Sequence, residues 1–282
     1  MIRTYFEFIK ISHTVFALPF CLIAFFQASR ETGFSAARLV RLVVTFTAAR
    51  AFAMAVNRIA DREIDAQNPR TAGRHLPTGE ISPMGATLFA AGCSIIFIAG
   101  AFQFNPLCGF LSPVVLAYLA FYSWTKRFTT WSHLVLGGAL GLAPLAAELA
   151  VLGRISPPTV YLAMSVLFWV AGFDVVYAMQ DIDFDRRAGL YSLPSRVGPE
   201  RAHGMAMGFH AAAFALFLAY GAMLHFGPIY FGAQTGILLL LIYEHALVFK
   251  KKIETAFFQM NGIVSVLQVL AVGLEIWRSG RM

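Results

Sequence analysis

Nine stretches of about 20 mostly apolar residues dominate this sequence, near 14–29, 39–60, 84–104, 107–125, 131–152, 158–180, 203–226, 229–249 and 256–277. A helix needs about that length to cross the hydrocarbon core of a bilayer. Inside lipid it must also satisfy every backbone N–H and C=O within itself. The pattern predicts an all-α polytopic membrane protein of nine transmembrane helices, a single domain over residues 1–282. Turn signals punctuate it: Asn105-Pro106, Ser156-Pro157-Pro158 and Gly227-Pro228 each separate two spans. Only 13% of the residues are charged and 27 are Phe, against about 25% charged in soluble domains. The lipid bilayer must be the solvent for much of this surface. The N-terminal MIRTYFEFIKISHTVFALPF has no small-residue cleavage site after a short apolar run, so it reads as a retained first span.

Basic residues orient the chain. With the N-terminus and the connections after spans 2, 4, 6 and 8 on one side, that side carries fourteen Lys and Arg, including Arg3, Lys10, Arg62, Lys250, Lys251 and Lys252. The other side carries six: Arg30, Arg38, Arg41, Arg154, Arg278 and Arg281. The positive-inside rule places the richer side in the cytoplasm. There the connections at roughly 61–83 and 181–202 are long and polar, and they stand at equivalent places in two halves of the chain. The net charge of +7 is spread between apolar segments. It suits anionic lipid and an anionic substrate and does not suggest nucleic acid. Cys21, Cys93 and Cys108 lie in apolar stretches without paired spacing and read as buried free thiols.

The chain has six aspartates, all in two short clusters. One is Asn57-Arg-Ile-Ala-Asp61-Arg-Glu-Ile-Asp65; the other runs from Asp174 through Asp181, Asp183 and Asp185. Asp61/Asp65 and Asp181/Asp185 share a spacing of four, and the second pair follows the first by 120 residues. Residues four apart share a helix face, so Asn57, Asp61 and Asp65 form one oxygen-bearing stripe at the end of span 2. Asp181 and Asp185 form another at the end of span 6. Like charges at that spacing call for a cation. All-oxygen ligands suit Mg²⁺, which fills its shell with phosphate oxygens. The plainer alternative, carboxylates that cap helices or face solvent, does not explain two matched pairs at a membrane boundary, where acids are costly.

Cations surround both clusters. Arg70 and Arg74 follow the first, Arg186, Arg187 and Arg196 the second, and Lys126-Arg127 end span 4 on the same side. Arg binds phosphate oxygens bidentately; for Lys250–Lys252 and Arg201, setting topology is sufficient. Arg50 falls within span 2, two turns deeper than Asn57. An arginine there must be paired or face a polar space. It could bind a substrate carboxylate or pair with Glu148 or Glu244. The histidines, His13 and His133 among them, read as packing or hydrogen-bonding residues.

With these residues in view, the chain resembles the UbiA superfamily of membrane polyprenyltransferases. NRIADREID at 57–65 with its downstream NPRTAGRHLPTG is similar to that family's first signature. DVVYAMQDIDFDRRAGLYSLPSRVG from Asp174 is similar to its second, and Tyr122-Ser-Trp-Thr-Lys126-Arg127 to its Tyr-x-x-x-Lys-Arg. The resemblance implies two related halves around a central cavity. It also implies that Asn57, Asp61, Asp65, Asp181 and Asp185 coordinate two Mg²⁺ ions on a polyprenyl diphosphate. Lys126, Arg70 and Arg74 would hold phosphate oxygens, and Arg50 would face the carboxylate of an aromatic acid acceptor. Tyr122 and Asp174 match less widely shared positions. Arg58 departs from the pattern, since many members carry an acidic residue there; it is expected to point off the 57/61/65 stripe.

Within the superfamily the chain is similar to bacterial 4-hydroxybenzoate polyprenyltransferases, enzymes of quinone biosynthesis in the cytoplasmic (inner) membrane with a cytoplasm-facing site. A similar branch prenylates dihydroxynaphthoate in the futalosine route to menaquinone, and sister enzymes farnesylate haem or prenylate chlorins. A CDP-alcohol phosphatidyltransferase needs a DGxxAR motif, and no Asp-Gly occurs in this chain. A secondary transporter would carry its acids near the bilayer midplane, whereas these lie at the cytoplasmic ends of spans 2 and 6.

Overall fold

A computed structural model describes residues 2–250 and 252–279. Lys251 and Arg281, two of the residues used for orientation, lie outside the described residues. Among those described there is no β-strand. Nine helices are long and apolar enough to cross a membrane: Ile11–Thr32, Ala36–Ala60, Pro83–Phe102, Pro106–Arg127, Ser132–Leu152, Pro157–Arg187, Pro199–Met223, Pro228–Phe249 and Thr255–Arg278.

The punctuation works as N-terminal capping. Proline opens the third, fourth, sixth, seventh and eighth spans, where its missing N–H is no loss. The side chains of Ser35, Ser82 and Asn105 accept the N–H three residues on, at 3.3, 3.0 and 2.8 Å. The seventh helix begins at Pro199, four residues before its apolar stretch, because the polar turn Pro199–His203 is already helical.

Span 6 is the axis of the molecule, with 67% of its most apolar window buried against 22% for span 4. It packs on spans 5 and 7. The contact with span 5 is backbone-close: a Cβ on Gly137 would stand 2.2 Å from the Leu167 carbonyl oxygen, and one on Gly141 2.8 Å from that of Ala163. Close approach through small residues is how membrane helices gain packing energy when lipid is as apolar as they are. Trp169, Phe173, Phe20, Phe217, Tyr220 and Tyr230 build the main aromatic core between spans 1, 6, 7 and 8.

Two membrane helices are irregular where they meet. Span 1 starts as a 3₁₀ turn, Ile11–Phe16, and span 9 starts as a π-helix, Thr255–Met260. Their rings interlock, with Phe16–Phe257 centroids 5.3 Å apart and His13–Phe257 5.8 Å. Before span 1, the short helix Ile2–Phe8 lays Phe8 and Ile9 against Ala51, Ala55 and Leu76.

Candidate active site at the ends of spans 2 and 6

The acidic stripes are not carried on unbroken helices. Span 2 ends at Ala60, Asp61 turns the chain at φ −95°, ψ 7°, and Asp65 sits on a separate helix, Arg62–Gln67. Span 6 repeats this geometry: Asp181 stands at φ −106°, ψ 8°, and Asp185 lies on the short continuation Ile182–Arg187. Each Asp occupies the sparsely used bridge region between helix and extended backbone. Backbone bonds across the first break keep the four-residue register, Asp61 N–H to Asn57 C=O at 2.9 Å and Asp65 N–H to Asp61 C=O at 2.7 Å. The turn redirects the following loop towards span 6. There Asn68 Nδ2 donates to Asp181 Oδ1 at 3.0 Å and Arg70 Nε to the same oxygen at 2.9 Å. The two acid clusters therefore converge.

Each carboxylate of the two pairs carries one cation. Arg127 meets Asp61 at 3.1 Å, Arg74 meets Asp65 at 2.6 Å, Arg70 grips Asp181, and Lys126 Nζ lies 3.7 Å from Asp185. Lys126 is held in place by its own carbonyl, which accepts the Tyr191 N–H at 2.7 Å. Burial raises the Asp61 carboxyl above the ordinary carboxylate range, more than neighbouring Arg127 lowers it. Asn57 completes this corner, its amide donating to Asp61 Oδ2 at 3.0 Å.

The remaining candidates are placed as follows. Tyr122 is half-buried at the end of span 4. Asp174 is clamped: His133 Nδ1 lies 2.6 Å from Asp174 Oδ2, and His133 Nε2 accepts the Leu193 N–H at 3.2 Å. That acceptor role puts the ring proton on Nδ1. Arg50 makes no ion pair with Glu148 or Glu244. Its Nη1 and Nη2 donate to the carbonyls of Ile9 and Lys10 at 3.0 and 2.9 Å, closing the end of the N-terminal helix. Glu148 instead accepts from Ser156 and Glu244 from Asn261.

One residue gains importance over its sequence reading. Tyr177 receives a 2.8 Å hydrogen bond from Arg70 Nη1, and the guanidinium also rides 5.1 Å from its ring centroid. The Tyr177-x-x-x-Asp181 spacing placed it one turn before Asp181, on the same face. Arg58, one position on from Asn57 and so about 100° of helix rotation away, is 8% exposed.

The donor set fits a hard divalent cation. Among the described residues no three His, Cys, Asp or Glu side chains stand close enough to enclose an ion. Mg²⁺ does not require that, since it commonly takes one or two carboxylates and completes its shell with water and phosphate oxygens. Asp185 Oδ2 is buried with no hydrogen-bond donor, its one charged neighbour being Lys126 Nζ at 3.7 Å, which leaves its lone pairs open to a ligand role. Asp61, Asp65, Asp181 and Asn57 supply further hard oxygens.

The chain is similar to known proteins over most of its length. The model of the UbiA prenyltransferase family matches residues 17–264. A 4-hydroxybenzoate octaprenyltransferase of Aromatoleum aromaticum is 30% identical over 220 residues, 77% of this chain and 74% of that protein. The one from Nitrosospira multiformis is 33% identical over 193 residues, 68% and 66%. Among solved structures, the apo form of a UbiA homologue from Aeropyrum pernix K1 superposes with a TM-score of 0.84 at 33% identity, covering 94% of this chain and 98% of that one. A UbiA homologue from Archaeoglobus fulgidus bound to GPP and Mg²⁺ has the same fold, with a TM-score of 0.71 at 22% identity over 97% and 99%. A family match over nearly the whole chain, on a fold whose converging acid pairs each hold a cation, means that the chain belongs to the UbiA prenyltransferase family and is an aromatic prenyltransferase.

Proposed function

We propose that the chain transfers a polyprenyl group from polyprenyl diphosphate to 4-hydroxybenzoate, with Mg²⁺, at the cytoplasmic face of a bacterial inner membrane, in quinone biosynthesis. One observation carries the reading: Asn68 and Arg70 from the loop after span 2 bind Asp181 of span 6, which brings the two acidic segments together. The curated relatives' name supports the acceptor.

Asp61, Asp65, Asp181, Asp185 and Asn57 would hold Mg²⁺, which when bound neutralises the diphosphate as it leaves. The chain's own residues do the rest. Arg70, Arg74, Lys126 and Arg127, the cations beside those carboxylates, would take phosphate oxygens as charge develops on the leaving group. Tyr177 fixes Arg70 through its hydroxyl and its ring face. Phe257, tilted against Tyr177 with centroids 4.3 Å apart, helps wall the allylic carbon from water, which would otherwise quench a cation. The ring carbon beside the acceptor's phenolic hydroxyl forms the new C–C bond, the C–O bond to diphosphate breaks, and the ring proton leaves to solvent.

Purified protein is expected to prenylate 4-hydroxybenzoate only when Mg²⁺ is present, and Asp61→Ala or Asp181→Ala is expected to abolish turnover while the protein still accumulates in membranes. Product with dihydroxynaphthoate in place of 4-hydroxybenzoate would replace the acceptor; full activity in either variant would remove the metal assignment.

A further inference from the structure

Spans 8 and 9 meet over polar side chains that take no part in the chemistry described above. Glu244, near the C-terminal end of span 8, and Asn261, the residue after the π turn of span 9, are both 0% exposed. Asn261 Nδ2 donates to Glu244 Oε1 at 2.9 Å and to the Ala256 and Phe257 carbonyls of the π turn. Three acceptors around that nitrogen fix which way the amide faces. The other half of the pair is unsatisfied: Glu244 Oε2 and Asn261 Oδ1 are both buried with no hydrogen-bond donor. Each orphaned oxygen shares its carbon with an atom of the 2.9 Å bond. The other buried glutamates among the described residues differ, since Glu148 and Glu275 have donors on both oxygens.

An ionised Glu244 would need a cation at this depth. Among the described residues none stands within ion-pair distance, and the bond from Asn261 is the carboxyl's one hydrogen bond. Its sequence neighbour His245 spends both ring nitrogens on His203 and His210 of span 7, at 2.9 and 3.0 Å. The π turn, Thr255–Met260, carries no ionisable side chain. A single proton on Glu244 Oε2 removes both defects: it cancels the charge and turns that oxygen into a donor. Asn261 Oδ1 is the donorless acceptor on the group Glu244 already touches.

We propose that Glu244 stands as a neutral carboxylic acid whose proton closes a two-bond acid–amide pair with Asn261, and that this pair makes Glu244 a positioning residue for Arg70. The path runs through the π turn, a distortion found mostly at functional sites: Phe257 lies 4.3 Å from Tyr177, and the Tyr177 hydroxyl accepts from Arg70. The positioning role rests on the diphosphate reading of the preceding section; the protonation does not.

Infrared difference spectroscopy on the full-length protein in detergent, without substrate and at neutral pH, reads the proton. Wild type minus Glu244→Gln should show the carbonyl band of a protonated carboxylic acid, moved by deuterium exchange. A carboxylate band in its place overturns the inference and gives the orphaned oxygens to a cation or a water. Where Glu244→Gln does not fold, wild type carrying isotope-labelled glutamate is compared with unlabelled protein. A shifted acid band then supports the inference and its absence overturns it. Steady-state kinetics read the positioning. Glu244→Leu keeps the bulk without donor or acceptor, and KM for polyprenyl diphosphate is expected to rise severalfold while KM for the acceptor changes little. Glu244→Gln, which keeps one of each, should return most of that loss. Where Glu244→Leu does not accumulate, Glu244→Asp, too short to close the pair, is read the same way. Equal rises for both substrates, or a Gln variant as impaired as the other, overturn the positioning role. Wild type that shows the acid band but consumes no prenyl diphosphate keeps the protonation and removes the proposed reaction.

Discussion

Asp61 and Asp181 stand at the same place in the two halves and have opposite energetics. Burial raises the Asp61 carboxyl, outweighing Arg127. The folded protein thus holds that proton more tightly than the unfolded chain, and Asp61 subtracts from stability as pH rises from the ordinary carboxylate range through its raised folded value. Asp181 instead anchors Arg70 and Asn68. Burial alone would lower the Arg70 guanidinium, but its bonds to Asp181 and Tyr177 outweigh this and raise it, so the pair is net favourable. In Mg²⁺-free protein, Asp61→Asn is therefore expected to leave the thermal midpoint equal or higher. Asp181→Asn is expected to lower stability by roughly 1.5–3 kcal/mol, read by thermal unfolding in detergent; equal losses in both variants would contradict the contrast. Neither has a full metal-ligand set, so both are expected to lose turnover. The spacing of the aspartates was legible in the sequence because four residues mean one face in any helix. The fate of Arg50 was not, because the partner of a long side chain depends on which backbone carbonyls arrive from elsewhere. His133 as the clamp on Asp174 likewise depends on Leu193, 60 residues away.

Helix boundaries followed from hydropathy, proline and capping residues, but helix pitch did not. The sequence of span 9 reads as one regular helix, and nothing in its apolar pattern encodes the π turn at Thr255–Met260. That turn is held by a buried side chain: Asn261 Nδ2 donates to the Ala256 and Phe257 carbonyls at 3.2 and 3.1 Å and to Glu244 Oε1 at 2.9 Å. Both Asn261 and Glu244 are 0% exposed. The π turn aims Phe257 at Tyr177, and Tyr177 holds Arg70, so a short chain of contacts joins Glu244 to Arg70. Asn261→Ala strips the donor from buried acceptors, each worth about 1–3 kcal/mol when orphaned, and is expected to destabilise the protein by at least that much. Because the first site contact downstream is Arg70, KM for polyprenyl diphosphate should rise more than KM for the acceptor. Steady-state kinetics on surviving protein decide this; equal rises would mean that Asn261 acts on the fold alone.

The whole molecule keeps two spans' worth of acid at one membrane face, and that arrangement was readable because so few charges interrupt the apolar segments. Nine spans put the N-terminus and the loops after spans 2, 4, 6 and 8 on one side, and Lys and Arg are concentrated there. The convergence of the two halves needed coordinates, since no local pattern says that Asn68 reaches Asp181 across 113 residues. Orientation is testable independently of activity. Glu80, in the loop after span 2, and Ile155, between spans 5 and 6, are both exposed and lie at opposite faces. Cys21 and Cys93 are buried, whereas Cys108 is only half-buried, so Cys108→Ser provides the background. In sealed right-side-out vesicles a membrane-impermeant maleimide should label Ile155→Cys and spare Glu80→Cys, and inverted vesicles should exchange the two. This sense is the one expected from the basic loops, because the anionic inner leaflet and the insertion machinery retain Lys and Arg on the cytoplasmic side. The reverse labelling would place the four carboxylates outside, where a cytoplasmic pool of diphosphate could not reach them, and would remove the proposed function however well the site binds metal.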